Sequence, residues 1–151
     1  MTTHDLQRTQ DHLELLTLEA RYASTWDCGD AAGWAGVFTA DGTFEITAVG
    51  ERPPVVVRGR QALAAFCADF TSSTQGVHLP SLPLLEISSE TASGTVPFHF
   101  VGISRLRPDH TVSRSASGTY RVEYRRTADG WRIHRRVETA LISSRAEHFG
   151  S

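Results

Sequence analysis

Three side chains in this 151-residue chain have the type and placement for proton transfer: Asp27, His78 and His99. Asp27 closes the stretch Arg21-Tyr22-Ala23-Ser24-Thr25-Trp26-Asp27, the end of a run with helical periodicity. Counting back in alternating steps of three and four meets Ala23, Ala20, Leu16 and Leu13, an inward apolar stripe with Glu14, Thr17 and Arg21 on the other side. A carboxylate ending such a stripe either caps the next element and stays wet, or projects into an internal pocket. In a pocket it needs a partner, because burial disfavours its charged form. A histidine suits that role: an imidazole can take a proton and return it near neutral pH, which elimination of water requires. His78 begins an extended segment. His99 shares strand parity with Thr95 and Val101, opposite Val96, Phe98 and Phe100, so it faces the same pocket only if Pro97 marks a bulge. Tyr22 could offer its hydroxyl to a substrate carbonyl. Trp26, Phe44 and Phe98 are candidates for the pocket wall. No pair of histidines or carboxylates shows a short ligand spacing on one element, so no metal is expected.

Composition narrows the chemistry further. The chain is 40% hydrophobic and 21% charged, ordinary for a globular protein, and its length fits one domain over residues 1–151. A net charge of −2 points to neither nucleic acid nor a membrane surface, and the apolar runs are too short to span a bilayer. Met1–Asp5 shows no basic segment followed by an apolar one, so a cytoplasmic location is expected. Cys28 and Cys67 have no metal or redox spacing and read as reduced, small core residues. All fifteen basic residues are arginine. Arginine does not form imines, which removes Schiff-base chemistry, lysine-bound pyridoxal phosphate and the P-loop lysine. No cofactor is expected.

The elements that must position these residues follow from periodicity. Leu6 to Asp27 reads as a long helix, and Asp30 as the N-cap of a short second helix through Trp34, Val37 and Phe38. Ala40-Asp41-Gly42 reads as a turn before a strand over Thr43–Thr47. Glu51-Arg52-Pro53-Pro54 is a loop and Val55–Arg58 a short β-branched run. Gly59 opens a third helix carrying Leu63, Phe66, Cys67 and Phe70 on one face. A β-meander then runs from Val77, with Pro80 and Pro83 marking an edge or a bulge, Gly118 a bend, and Ala128-Asp129-Gly130 a hairpin. The last strand is expected over Trp131–Ile142 with its arginines on a solvated face, and Ser143–Ser151 as a frayed tail. Three helices before long antiparallel strands make an α+β domain. A strongly curved sheet over a long helix leaves a hollow, the default ligand site.

Several strings resemble the SnoaL-like branch of the NTF2-like superfamily. They are Arg21-Tyr22-Ala23 with Trp26-Asp27, Val37-Phe38-Thr39-Ala40-Asp41-Gly42, Gly59-Arg60-Gln61-Ala62-Leu63, Val77-His78, and Asp129-Gly130-Trp131-Arg132-Ile133, spanning about 6–142. The resemblance implies a cone of three N-terminal helices on a strongly curved, mostly antiparallel sheet, commonly paired into homodimers. Its members include scytalone-dehydratase-like enzymes, polyketide cyclases, ketosteroid-isomerase-like and epoxide-hydrolase-like enzymes, and subunits without chemistry. The dehydratase-like members match best at the site: Asp27 corresponds to their helix-end aspartate, His78 to a histidine it supports, and His99 to their second histidine. The resemblance therefore implies a cofactor-free dehydratase or cyclase acting on a small, mostly apolar carbonyl compound of polyketide type. A non-catalytic binding or accessory module is the alternative. Epoxide opening or isomerisation would need a further carboxylate or arginine on the wall; ketosteroid-isomerase-like chemistry would need an acid donor inside the sheet, for which Glu45 and Glu123 are the only nearby options and neither is well placed by pattern.

Overall fold

The first helix, α1 (Thr3–Asp27), buries the side chains of Asp11, Leu15, Leu18, Glu19, Tyr22 and Trp26 along one face. This stripe is rotated from the expected one: Leu13 is 58% exposed and Ala20 lies on the solvent side. The rotation arises because two acids belong to the buried face, each neutralised across the core. Asp11 accepts from Arg126 Nη2 at 2.7 Å and Trp131 Nε1 at 3.2 Å, and Glu19 accepts from Arg136 and Tyr124. The computed structural model describes residues 3–48 and 53–149; Glu51 and Arg52 of the expected loop, like Gly150 and Ser151 of the expected tail, lie outside them.

Asp30 caps α2 (Ala31–Gly36) by accepting from the Gly33 amide at 2.9 Å. The helix ends before Phe38, which instead begins β1 (Phe38–Ile46). The Ala40–Gly42 turn signal is absorbed within β1 as an irregularity of its pairing. β2 (Val55–Arg58) and α3 (Arg60–Ser73) follow, with Leu63 and Cys67 fully buried. The remaining strands are β3 (Thr74–Pro80), β4 (Leu84–Ile87), β5 (Thr91–Arg107), β6 (His110–Thr127) and β7 (Gly130–Phe149). The sheet order is β2-β1-β7-β6-β5-β3, with β4 also paired to β5. Only β1 and β7 run parallel, so the sheet is mostly antiparallel. Pro80, the last residue of β3, and Pro83, just before β4, sit on the sheet edge, where a missing amide costs no ladder bond.

The register of β6 and β7 decides which side chains look inward. Residues 114 to 126 of β6 face in at every second position. Their partners on β7 are Arg145, Ser143, Ala140, Glu138, Arg136, Ile133 and Trp131. Two extra residues, His134 and Leu141, interrupt the alternation of β7, each a bulge that switches the parity of the residues after it. At the second bulge the partner position is Gly118, where a Cβ would stand 2.0 Å from the Thr139 carbonyl oxygen. The expectation of an all-solvated arginine face is thereby corrected: Arg136 is turned fully into the core. Ser143–Phe149 does not fray either; it pairs with His110–Ala116 of β6.

Candidate functional site

The end of α1 and the middle of β3 meet through one carboxylate. His78 Nδ1 lies 2.6 Å from Asp27 Oδ1, and the His78 amide donates to Asp27 Oδ2 at 2.9 Å. Both carboxylate oxygens thus serve one residue, fixing the ring's orientation and its Nδ1–H form. The Asp27 side chain is 20% exposed and that of His78 10%, so the pair is shielded without being sealed. Nε2, on the far edge of the ring, is the nitrogen left for the cavity that His78 lines.

That cavity has a volume of about 380 Å³, small for a ligand site but ample for one or two rings. Tyr22, Trp26, Phe44, Phe66, Phe70, Phe98 and Phe100 form its apolar wall. The His78 ring is boxed by Phe100 at 4.8 Å, Trp26 at 6.1 Å and Tyr22 at 6.3 Å between centroids. The Phe100 ring lies over two cross-strand glycines: a Cβ at Gly76 would sit 2.4 Å from it, and one at Gly102 2.7 Å. Asp27, His78, Tyr22, Trp26, Phe44 and Phe98 therefore gather as expected. His99 does not. The β5–β6 register runs unbroken through Pro97, so no bulge turns His99 inward; it sits across from Leu79 and bonds Ser117 Oγ at 2.7 Å on the outer face.

Three features of the wall lie beyond what the sequence pattern suggests. Glu138 lines the cavity, and burial pushes its carboxyl up to about 7, with Arg136 pulling the other way. Its side chain makes no hydrogen bond among the described residues. Behind the wall, the fully buried Arg136 guanidinium is sandwiched between the rings of Tyr22 at 3.7 Å and Tyr120 at 3.9 Å, and its Nη1 donates to both oxygens of Glu19. Burial alone would lower its pKa; the Glu19 carboxylate and the neighbouring tyrosines outweigh that and raise it. Burial raises the Tyr22 phenol, so it stays protonated at neutral pH. Its ring meets that of Tyr120 edge-on, centroids 5.7 Å apart. The third feature is the mouth, where Arg114 and Arg145 join serines of β6 and β7. Among the described residues no three His, Cys, Asp or Glu side chains gather to hold a metal.

A match to the SnoaL-like domain covers residues 7–137. The chain belongs to the SnoaL-like family. This SnoaL-like protein is similar to a Mycobacterium tuberculosis protein of unknown function at 29% identity, covering 93% of this chain and 76% of that one with a TM-score of 0.75. An NTF2-like protein with a cystatin-like fold from Novosphingobium aromaticivorans is 24% identical over 91% of this chain and 86% of that one, TM-score 0.71. A hexachlorocyclohexane dehydrochlorinase, LinA type 2, shares the fold at 15% identity over 94% and 93%, TM-score 0.77. No curated protein sequence matches significantly. No helix among the described residues of the SnoaL-like chain is long and apolar enough to cross a membrane.

Proposed function

We propose that this SnoaL-like protein is a cofactor-free acid–base enzyme that removes a proton beside the carbonyl of a small, mostly apolar compound, as a dehydratase or cyclase. The observation that carries the reading is the Asp27–His78 pair, 2.6 Å apart, on the wall of an apolar cavity. His78 Nε2 takes the proton, and Asp27 stabilises the imidazolium that forms. The freed electron pair becomes the new C=C bond as the C–O bond breaks, and the departing hydroxide leaves as water after receiving a proton. Tyr22 donates a hydrogen bond to the carbonyl oxygen while charge builds there. Asp27 has no free oxygen for proton delivery and His99 is outside, so Glu138 takes the place of the second acid; with its carboxyl near 7 it is substantially protonated at neutral pH. The likeness of the fold to a dehydrochlorinase, an enzyme named for an elimination, supports the same class of reaction. Elements of the setting are proposed with it. Cys28 and Cys67 are free thiols, consistent with a cytoplasmic enzyme. The exposed Val77, Leu79, Val101 and Ile103, neighbours on β3 and β5, form the apolar face on which we place a homodimer contact; a monomer in sedimentation at micromolar concentration refutes that placement.

The test is exchange of the α-protons of one- and two-ring ketones, such as 2-tetralone, in D₂O followed by NMR. The protein accelerates exchange, and His78→Gln or Asp27→Asn loses about 10²–10⁴ of the acceleration with the fold intact. Glu138 favours a second reading, isomerisation or epoxide opening with that carboxylate as the base. Exchange that survives His78→Gln and is lost in Glu138→Gln selects it. No acceleration by the unaltered protein leaves a ligand-binding or accessory module.

A further inference from the structure

We infer that Arg114 and Arg145 form an anion site at the cavity mouth that seats a carboxylate of the substrate. This deepens the reading above and rests on it: the ligand becomes an apolar one- or two-ring acid rather than a neutral carbonyl compound. The two arginines are direct cross-strand partners on β6 and β7, and both line the cavity. Like charges facing each other in this way weaken a sheet, so the pair is a cost to folding. Compensation within the protein is incomplete. Arg145 Nη2 holds Glu147 at 2.8 Å, and the same carboxylate is bonded by His110 Nε2 at 3.2 Å. Arg114 has no acidic partner among the described residues. The interior acid does not serve the mouth either, because the charge that Glu138 feels is that of Arg136. Two permanent positive charges thus meet one shared carboxylate at the opening of an otherwise apolar chamber. An incoming anion would complete the neutralisation.

Register gives the site its reach. His78, Phe100, Ala116 and Ser143 form one inward row across β3, β5, β6 and β7; Gly76, Gly102, Arg114 and Arg145 form the next. Two strand spacings and two residues along the strand put the Arg114 backbone about 12 Å from that of His78. Side chains from both positions project into the same chamber, so one small molecule can touch both. The glycines at the near end of the second row carry no side chain, and the flat Phe100 ring lies over them. An aromatic body can slide along that ring with its acid toward the mouth. The planar fork of a guanidinium accepts a carboxylate through two parallel hydrogen bonds, and two forks side by side supply more donors than one carboxylate needs.

The experiment is calorimetric titration of the whole protein with 2-naphthoate, 2-naphthamide and 2-naphthyl phosphate, repeated in Arg114→Gln/Arg145→Gln and in His78→Gln. The acid binds about tenfold more tightly than the amide at low salt. The gap closes to within about twofold in the arginine double variant while the amide affinity stays, and it persists in His78→Gln. The double variant melts no lower than the unaltered protein, because the like-charge pair is gone. Equal binding of acid and amide, or a preference that survives the double variant, overturns the inference and leaves the apolar-ligand reading standing. Tighter binding of the phosphate than of the carboxylate overturns the assignment to a carboxylate. Failure of both acid and amide to bind overturns this inference together with the reading beneath it.

Discussion

Glu138→Gln should make the protein more stable at pH 8 and leave it unchanged at pH 4.5. The Glu138 carboxyl is pushed by burial from an ordinary value of 4.5 to about 7. Between those values the folded protein keeps a proton that the unfolded chain has released, so stability falls as pH rises through the window and the loss is complete above 7. At about 1.4 kcal/mol per pH unit, the shift corresponds to a loss of up to about 3 kcal/mol. Glutamine fills the same space without a charge and removes that penalty. The difference between variant and parent should therefore grow from near zero below pH 4.5 to as much as about 3 kcal/mol at pH 8, or several degrees in Tm. Urea denaturation of both proteins at pH 5, 6, 7 and 8 measures it, and contributions from every other titrating group cancel in the difference. Parallel curves across this range would refute the argument, since they would mean that the carboxyl titrates alike in the folded and unfolded chain.

Arg136→Met should cost about 3–5 kcal/mol in chemical denaturation, because it strands the Glu19 carboxylate in the core with only Tyr124 as a partner. His99→Ala should leave α-proton exchange unchanged, since the ring lies on the outer face; a loss of more than about tenfold would return it to the site. Gly102→Ala should destabilise the fold by about 1–3 kcal/mol and depress exchange, because the new methyl displaces the Phe100 ring that flanks His78; denaturation and NMR exchange read the two effects separately. A thiol reagent should modify exposed Cys28 in the native protein and reach Cys67 only on unfolding, because Cys67 is enclosed and burial pushes its thiol up to about 11.

The parts of this molecule that are legible in the sequence are those with local chemical marks. Asp30 announces a cap, Pro80 and Pro83 an edge, and Gly118 the distortion between β6 and β7. Asp27 and His78 stand out because their types suit one another and their elements are sound. The stripe that aims Asp27 in the pattern is nonetheless rotated in the fold. A pattern reading counts Asp11 and Glu19 as surface, and only the arginines of β6 and β7, more than a hundred residues away, show that both acids are buried. Long-range neutralisation leaves no local trace. The same limit hides the mouth, for Ser143–Phe149 carries mostly polar and exposed side chains and becomes a strand only because β6 is there to pair with it.

Bulges in β7 supply the link between fold and chemistry. Continued alternation from Trp131 and Ile133 would bring Arg135, Val137 and Thr139 inward, and the wall would carry a valine where the second acid now stands. One extra residue at His134 exchanges that set for Arg136 and Glu138, and nothing in Ile133-His134-Arg135-Arg136 marks the insertion by glycine or proline. The extra residue at Leu141 then restores the original parity, so that Ser143 and Arg145 still face the mouth. The second acid on the β7 side of the chamber thus owes its direction to a register defect, and it carries a cost in burial that the straight strand would have avoided. A fold shaped for stability alone would keep the alternation. The defects persist here at the positions where a proton, or an anion, would have to be handled.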